Sequence, residues 1–292
     1  MKISQYPQDS APLTTDIMVM VDQTNSATKK VAISDLIALF TTSLLPSGVM
    51  TEFAGKTAPS GWLLCYGQAI SRTTYAGLFA ALVPTVGTPT VTIASPGVFT
   101  LTGHGLQIGD AVYLTTTGAL PTGLSANTLY YVAATSFAAN TFTLTASRGG
   151  SAINTSGTQS GTHTLHASPH GIGDGSTTFN LPDMRGRSPS GADAMGGTAA
   201  SRVTSGGSGI YGAAVGATGG EETHTLTSTE MPSHSHTQQV THGTSGGYGF
   251  VDSTAASSSG TATSPTNTAT AGSGGAHNNM EPTTILNYII KT

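Results

Sequence analysis

Apolar and polar residues alternate in short bursts along most of this chain. The run Ile17-Met18-Val19-Met20-Val21 is followed by a polar turn and by Thr28-Lys29-Lys30-Val31-Ala32-Ile33, which predicts two paired strands. Further on, Gly97-Val98-Phe99-Thr100-Leu101-Thr102, Ala111-Val112-Tyr113-Leu114-Thr115, Leu129-Tyr130-Tyr131-Val132 and Asn140-Thr141-Phe142-Thr143-Leu144-Thr145 each read as a strand. Glycine-rich turns separate them, at Gly103-His104-Gly105, around Gly118 to Gly123 and at Arg148-Gly149-Gly150. Helical spacing is rare. Tyr75, Leu78, Phe79 and Leu82 recur at the 3.6-residue period, with Ser71 as the expected N-cap. Ser34 is the expected N-cap of a second short helix, 35–40. The fold class expected is mainly β with few short helices.

Composition narrows the picture. Only 8% of the 292 residues are charged, against roughly 25% in ordinary globular proteins. Glycine numbers 38, and Thr and Val outweigh the helix-forming Glu and Lys. The net charge is −4. No basic stripe is present to neutralise phosphates, which argues against nucleic-acid binding. Cys65 is the only cysteine, so an intrachain disulfide and a cysteine-based metal site are excluded. The first residues lack the apolar core of a signal peptide. The apolar stretch 36–45 is too short and too interrupted to span a bilayer, so no membrane insertion is expected. Synthesis in the cytoplasm, with the product remaining soluble there, is expected.

Four blocks stand out. They are Pro59-Ser60-Gly61-Trp62-Leu63-Leu64-Cys65-Tyr66-Gly67, Thr177-Thr178-Phe179-Asn180-Leu181-Pro182-Asp183-Met184-Arg185-Gly186-Arg187, Pro232-Ser233-His234-Ser235-His236 and Leu286-Asn287-Tyr288-Ile289-Ile290-Lys291. In this order they resemble the tail collar family of bacteriophage tail fibres, to which the microcystin-dependent proteins are related. The resemblance implies a homotrimeric, fibre-like tail fibre or baseplate protein of the virion tail. It also implies a His-x-His pair from each chain around an axial metal, which carries over to His234 and His236.

The residues support that geometry. On a strand, positions i and i+2 face one side, so His234 and His236 would project together. Three chains around a threefold axis would bring six imidazole nitrogens to one point. Neutral imidazole suits divalent transition metals. One ion per trimer is expected; six nitrogens suit iron(II), nickel or cobalt on geometry, and the resemblance implies zinc or iron.

Division of the chain follows from the blocks. Residues 1–45 form an N-terminal unit too small to bury much surface alone, expected to attach to other tail or baseplate proteins. A collar domain is split between 46–84 and 167–236. Residues 85–166 interrupt it as a small β-sandwich or barrel whose ends must lie close together. Residues 237–276, rich in Gly, Ser, Thr and Ala, form a distal loop, and 277–292 return to the collar domain. Tyr248 and Phe250 are the aromatics of the distal loop; Tyr248 could stack on a sugar of a host cell-surface glycan.

Catalysis is poorly supported, because no pair of carboxylates or nucleophile-base constellation is evident. Asp183 is expected to pair with Arg185 or Arg187, and His224 and His277 to be hydrogen-bonded structural residues. The remaining histidines, His104, His163, His166, His170 and His242, are expected in loops, and Trp62 in the core. The function expected is non-enzymatic receptor binding. A polysaccharide depolymerase and a purely structural baseplate component are the alternatives.

Overall fold

The computed structural model describes residues 17–22, 27–34, 45–233 and 274–292. Chain contacts divide it into two compact units, 1–220 with 284–292, and 221–283. His234, His236, Tyr248, Phe250 and His242 lie outside the described residues, as do most of the expected helix 35–40 and of the distal loop.

In the first unit, β1 (Ile17–Asp22) and β2 (Ala27–Ala32) form the expected antiparallel hairpin, with Ile17 opposite Ala32. Ile33 and Ser34 are already helical, so Ser34 lies within a helical turn rather than capping it. The next block supplies β3 (Met50–Phe53), β4 (Trp62–Leu64), β5 (Ala69–Ser71) and α1 (Ala76–Leu82). Helix α1 starts four residues later than the Ser71 cap predicts. Ser71 is drawn into β5, while its hydroxyl accepts from the Thr74 amide and caps the turn that precedes the helix. The apolar face is as expected: Leu78 is buried, with Tyr75, Phe79 and Leu82 packed around the same core.

Residues 85–166 carry most of the strands: β6 (Thr85–Gly87), β7 (Thr90–Val91), β8 (Phe99–Thr100), β9 (Ala111–Thr116), β10 (Leu129–Val132), β11 (Thr141–Phe142), β12 (Leu144–Thr145) and β13 (His163–Ala167). The run 140–145 is two strands rather than one. Thr143 breaks it, turning its hydroxyl to the Thr135 carbonyl at 2.7 Å. The sheets are open: a five-stranded sheet in the order β12-β10-β9-β13-β6 and a three-stranded one, β11-β8-β7. The barrel alternative is therefore corrected. Two sheets share one core, formed by Val91, Phe99, Val112, Leu114, Val132, Phe142, Leu144 and Leu165 among others. Phe99 and Phe142 stack at 5.2 Å within it.

The chain then forms β14 (Thr178–Asn180) and the single turn α2 (Ser205–Ser208). The second unit contributes β15 (Thr223–His224) and β16 (His277–Asn278), which pair with each other. The last strand, β17 (Asn287–Lys291), lies back in the first unit between β3 and β4. Strand β14 pairs with β5. Blocks distant in sequence thus meet around a second core of Cys65, Leu78, Val83, Tyr113, Phe179, Leu181 and Ile290. Each fully buried Leu, Ile or Phe there contributes roughly 1.5–3 kcal/mol relative to exposure. Trp62 is only half-buried on β4 and belongs to neither core.

Candidate functional site

Two places in the described residues concentrate polar side chains with defined geometry. The first is in the second unit, upstream of His234 and His236. His224 on β15 places Nδ1 on the Glu221 carboxylate and Nε2 on Glu230 at 3.0 Å. Glu230 also accepts from the Thr227 amide at 2.7 Å and the Thr227 hydroxyl at 2.8 Å. The Thr227 amide and hydroxyl, and then His224, hold the Glu230 carboxyl below its usual range. Glu221 first and Glu230 second raise the His224 ring. The His277 ring meets His224 edge-on at 5.9 Å, and its Nδ1 lies 3.1 Å from the Asn278 carbonyl. Both histidines are thus hydrogen-bonded structural residues, as expected. Among the described residues no group of three or more His, Cys, Asp and Glu side chains is arranged to hold a metal ion.

The second place is a groove of about 360 Å³ in the first unit. One wall is 88–91, the other 159–163. His163 and His166 are not in loops as expected but on β13, because the segment 163–167 zips against β9. Side chains on one strand alternate, and His163 is buried with Nδ1 2.8 Å from the Thr116 hydroxyl. Its Nε2 lies 3.1 Å from Oε1 of Gln159, whose Nε2 donates to the Val91 carbonyl at 2.7 Å. Burial lowers the His163 pKa, so the ring is neutral at pH 7. No local sequence signal marks this groove, because its walls come from distant segments of ordinary Thr, Ser and Gln.

The collar blocks are shaped by carboxylates used as caps. Asp174 accepts from the Ser176, Thr177 and Thr178 amides at 2.8–2.9 Å and from the Thr177 hydroxyl, which holds it well below the carboxylate range. Asp183 pairs with Arg185 at 2.8 Å and reaches Arg187 at 3.4 Å, so it engages both expected partners. Asp193 accepts from the Ser201 and Arg202 amides. Arg72 donates to the carbonyls of Thr178 and Ile172 and lies 4.9 Å over the Phe79 ring.

No helix among the described residues is long and apolar enough to cross a membrane. A search of curated proteins found no match. Among solved structures, the phage phi92 endosialidase matches at 23% identity and a TM-score of 0.20. The matched region covers 41% of this chain and 15% of that one, so this chain spans a small part of that protein's length. Residues 48–93 match the model of the Phage Tail Collar Domain family. They hold β3, β4, β5, α1, β6 and β7; from elsewhere in the chain β17 pairs with β3 and β4, and β14 with β5. The likeness to a phage tail collar domain thus rests on residues 48–93.

Proposed function

We propose that this chain is a homotrimeric, non-enzymatic tail fibre or baseplate protein that binds a glycan on the host cell surface. The observation that carries the reading is the collar match over 48–93. Residues 1–45 attach the trimer to other tail proteins, and the collar domain assembles the three chains. Ile285, 83% exposed, and the neighbouring Leu286 leave large apolar side chains on the surface next to β17, which suits an interface between copies.

Residues 85–166 are a module inserted into the collar domain, supported by the pairing of β6 with β13 at its two ends. His234 and His236 from each chain hold one divalent transition ion, zinc or iron, on the threefold axis. The donor set fits: two imidazoles per chain, with no competing thiol except the buried Cys65, whose proton is held by burial up to about 11. Tyr248 and Phe250 in the distal loop are candidate receptor contacts. Trimerisation multiplies weak sites through avidity.

Six carboxylates among the described residues support the non-enzymatic part. Asp110, Asp174, Asp183, Asp193, Glu221 and Glu230 are each engaged by backbone amides, arginines or His224. A glycosidase needs two carboxylates free to face a scissile bond.

The test is threefold. Sedimentation should give a trimer. The purified protein should block adsorption of the phage to its host and bind host glycan. Host polysaccharide incubated with it should release no reducing ends. Steady release would establish the depolymerase, and absence of both blocking and glycan binding would leave a structural baseplate component.

A further inference from the structure

We infer that the groove between 88–91 and 159–163 is a binding site for a short neutral saccharide. This deepens, and rests on, the proposed glycan adhesion. Across 85–166 only Asp110 and Arg148 carry charge, and neither lines the groove. Arg148 is committed elsewhere, donating to the Gly109 carbonyl at 2.9 Å and lying 5.0 Å over the Tyr131 ring. A phosphate or polyanionic ligand would find no cation in the groove. An apolar ligand would meet hydroxyls, because Thr88, Thr90, Ser160 and Thr162 are exposed there while Pro89 and Val91 are buried. A hydroxyl-rich neutral ligand matches this lining.

The groove is also pre-organised. Thr116, His163, Gln159 and the Val91 carbonyl form a hydrogen-bonded chain, with steps of 2.8, 3.1 and 2.7 Å. A neutral His163 with its proton on Nε2 donates to Gln159 Oε1 and accepts from the Thr116 hydroxyl, which satisfies every member. The Gln159 carboxamide is thereby fixed in one orientation. It has a second N–H and a second lone pair to offer a ligand. The hydroxyls of Thr88, Thr90 and Thr162 make no hydrogen bond among the described residues, so each has donor and acceptor capacity left. Fixing the polar groups before binding lowers the ordering cost of a weak carbohydrate contact. The volume, near the lower end of known ligand pockets, suits a short saccharide rather than a long chain.

The experiment uses the full chain on an array of purified neutral and anionic bacterial surface polysaccharides. Thr162→Trp fills the groove from an exposed position, and Thr88→Ala with Thr90→Ala removes hydroxyls without adding bulk. Thermal unfolding confirms that each variant folds. Wild type should bind neutral glycans, the filled variant at least tenfold more weakly, and the double alanine variant several-fold more weakly. Undiminished binding by Thr162→Trp overturns the groove while glycan adhesion stands. Exclusive binding of anionic glycans by wild type does the same. Binding to no glycan at all overturns both readings.

Discussion

The Ala167 amide donates to the Pro84 carbonyl at 3.0 Å. These two residues flank the segment 85–166, so its two ends meet at one hydrogen-bonded point. A segment joined only at its ends could hang loosely. Strand β9 prevents that. Val112 and Leu114 turn into the core of the segment, whereas Tyr113 between them turns the other way, into the core that holds Leu78, Phe179 and Ile290. Both faces of β9 are buried, which accounts for its unbroken apolar run.

Tyr113 therefore couples the two cores. It is 2% exposed, stacks on His166 at 4.8 Å and lies 5.8 Å from the Arg72 guanidinium. Replacement of a buried aromatic by Ala costs about 3–5 kcal/mol. Tyr113→Ala should reduce amide-exchange protection in β5, β14 and β17 as well as in β9. Val112→Ala, facing one core, should cost less and leave β17 protection near wild type. Equal protection patterns in the two variants would show that the cores are not joined through this side chain.

Much of this architecture is legible in the sequence, and the reasons for the exceptions are physical. Strand β10 coincides with the run 129–132 because Tyr130, Tyr131 and Val132 favour extended backbone and glycine or polar turns bound the run. Strand β13 is invisible locally: His163, Thr164 and His166 are polar, and only pairing with β9 makes them a strand. Trp62 reads as core by chemistry, yet its place on the short β4 leaves it half-buried. The groove combines residues some seventy positions apart, a juxtaposition that no window of sequence contains. The carboxylate pairing of Asp183 was legible because its partners sit two and four residues away.

The Asp174 loop gives a graded prediction. Three backbone amides converge on Oδ1, and the Thr177 hydroxyl on the other oxygen. Asparagine keeps an acceptor at Oδ1 and can hold the three amides; its Nδ2 can only donate to the Thr177 hydroxyl, where the carboxylate oxygen accepted from it, and the charge is lost. Alanine loses every bond. The melting temperature should therefore order as wild type, Asp174→Asn, then Asp174→Ala, with the larger step at alanine. Equal losses for both would show that charge, rather than the shared acceptor, shapes the loop.

Acid should destabilise the first unit through His170. Burial first, and the charge of Arg148 second, push its pKa down to about 4. In the unfolded chain the ring titrates near ~6.5. Between these values the unfolded state holds more protons, so stability rises with pH. The contribution is complete above about 6.5, declines as pH falls through the window and is gone near 4, a total of at most about 3 kcal/mol. His163 and His166 are shifted in the same direction by burial and steepen the fall. His170→Gln should flatten the melting temperature between pH 6.5 and 4. A profile as steep as wild type would remove His170 as a source of acid sensitivity.

The proposed ion at His234 and His236 makes the last prediction, and it must be separated from the histidine effect just described. A ligating imidazole has to be unprotonated, so acid releases the metal in an overlapping range, with coordination moving the midpoint below the free value of ~6.5. Melting curves with and without a chelator distinguish the two, since the His170 contribution survives chelation. Around the pair the sequence has little hydrocarbon to bury, with Tyr248 and Phe250 the only aromatics across 237–276. Metal binding, as proposed, would then be a main offset to the entropy of ordering this region. Elemental analysis of the purified protein should give one ion per three chains, and none after His234→Ala or His236→Ala. Limited proteolysis should cut within 237–276 faster in those variants and in chelated wild type, with the collar core at 48–93 intact. Unchanged metal content in His234→Ala would refute the axial site, whatever the oligomeric state.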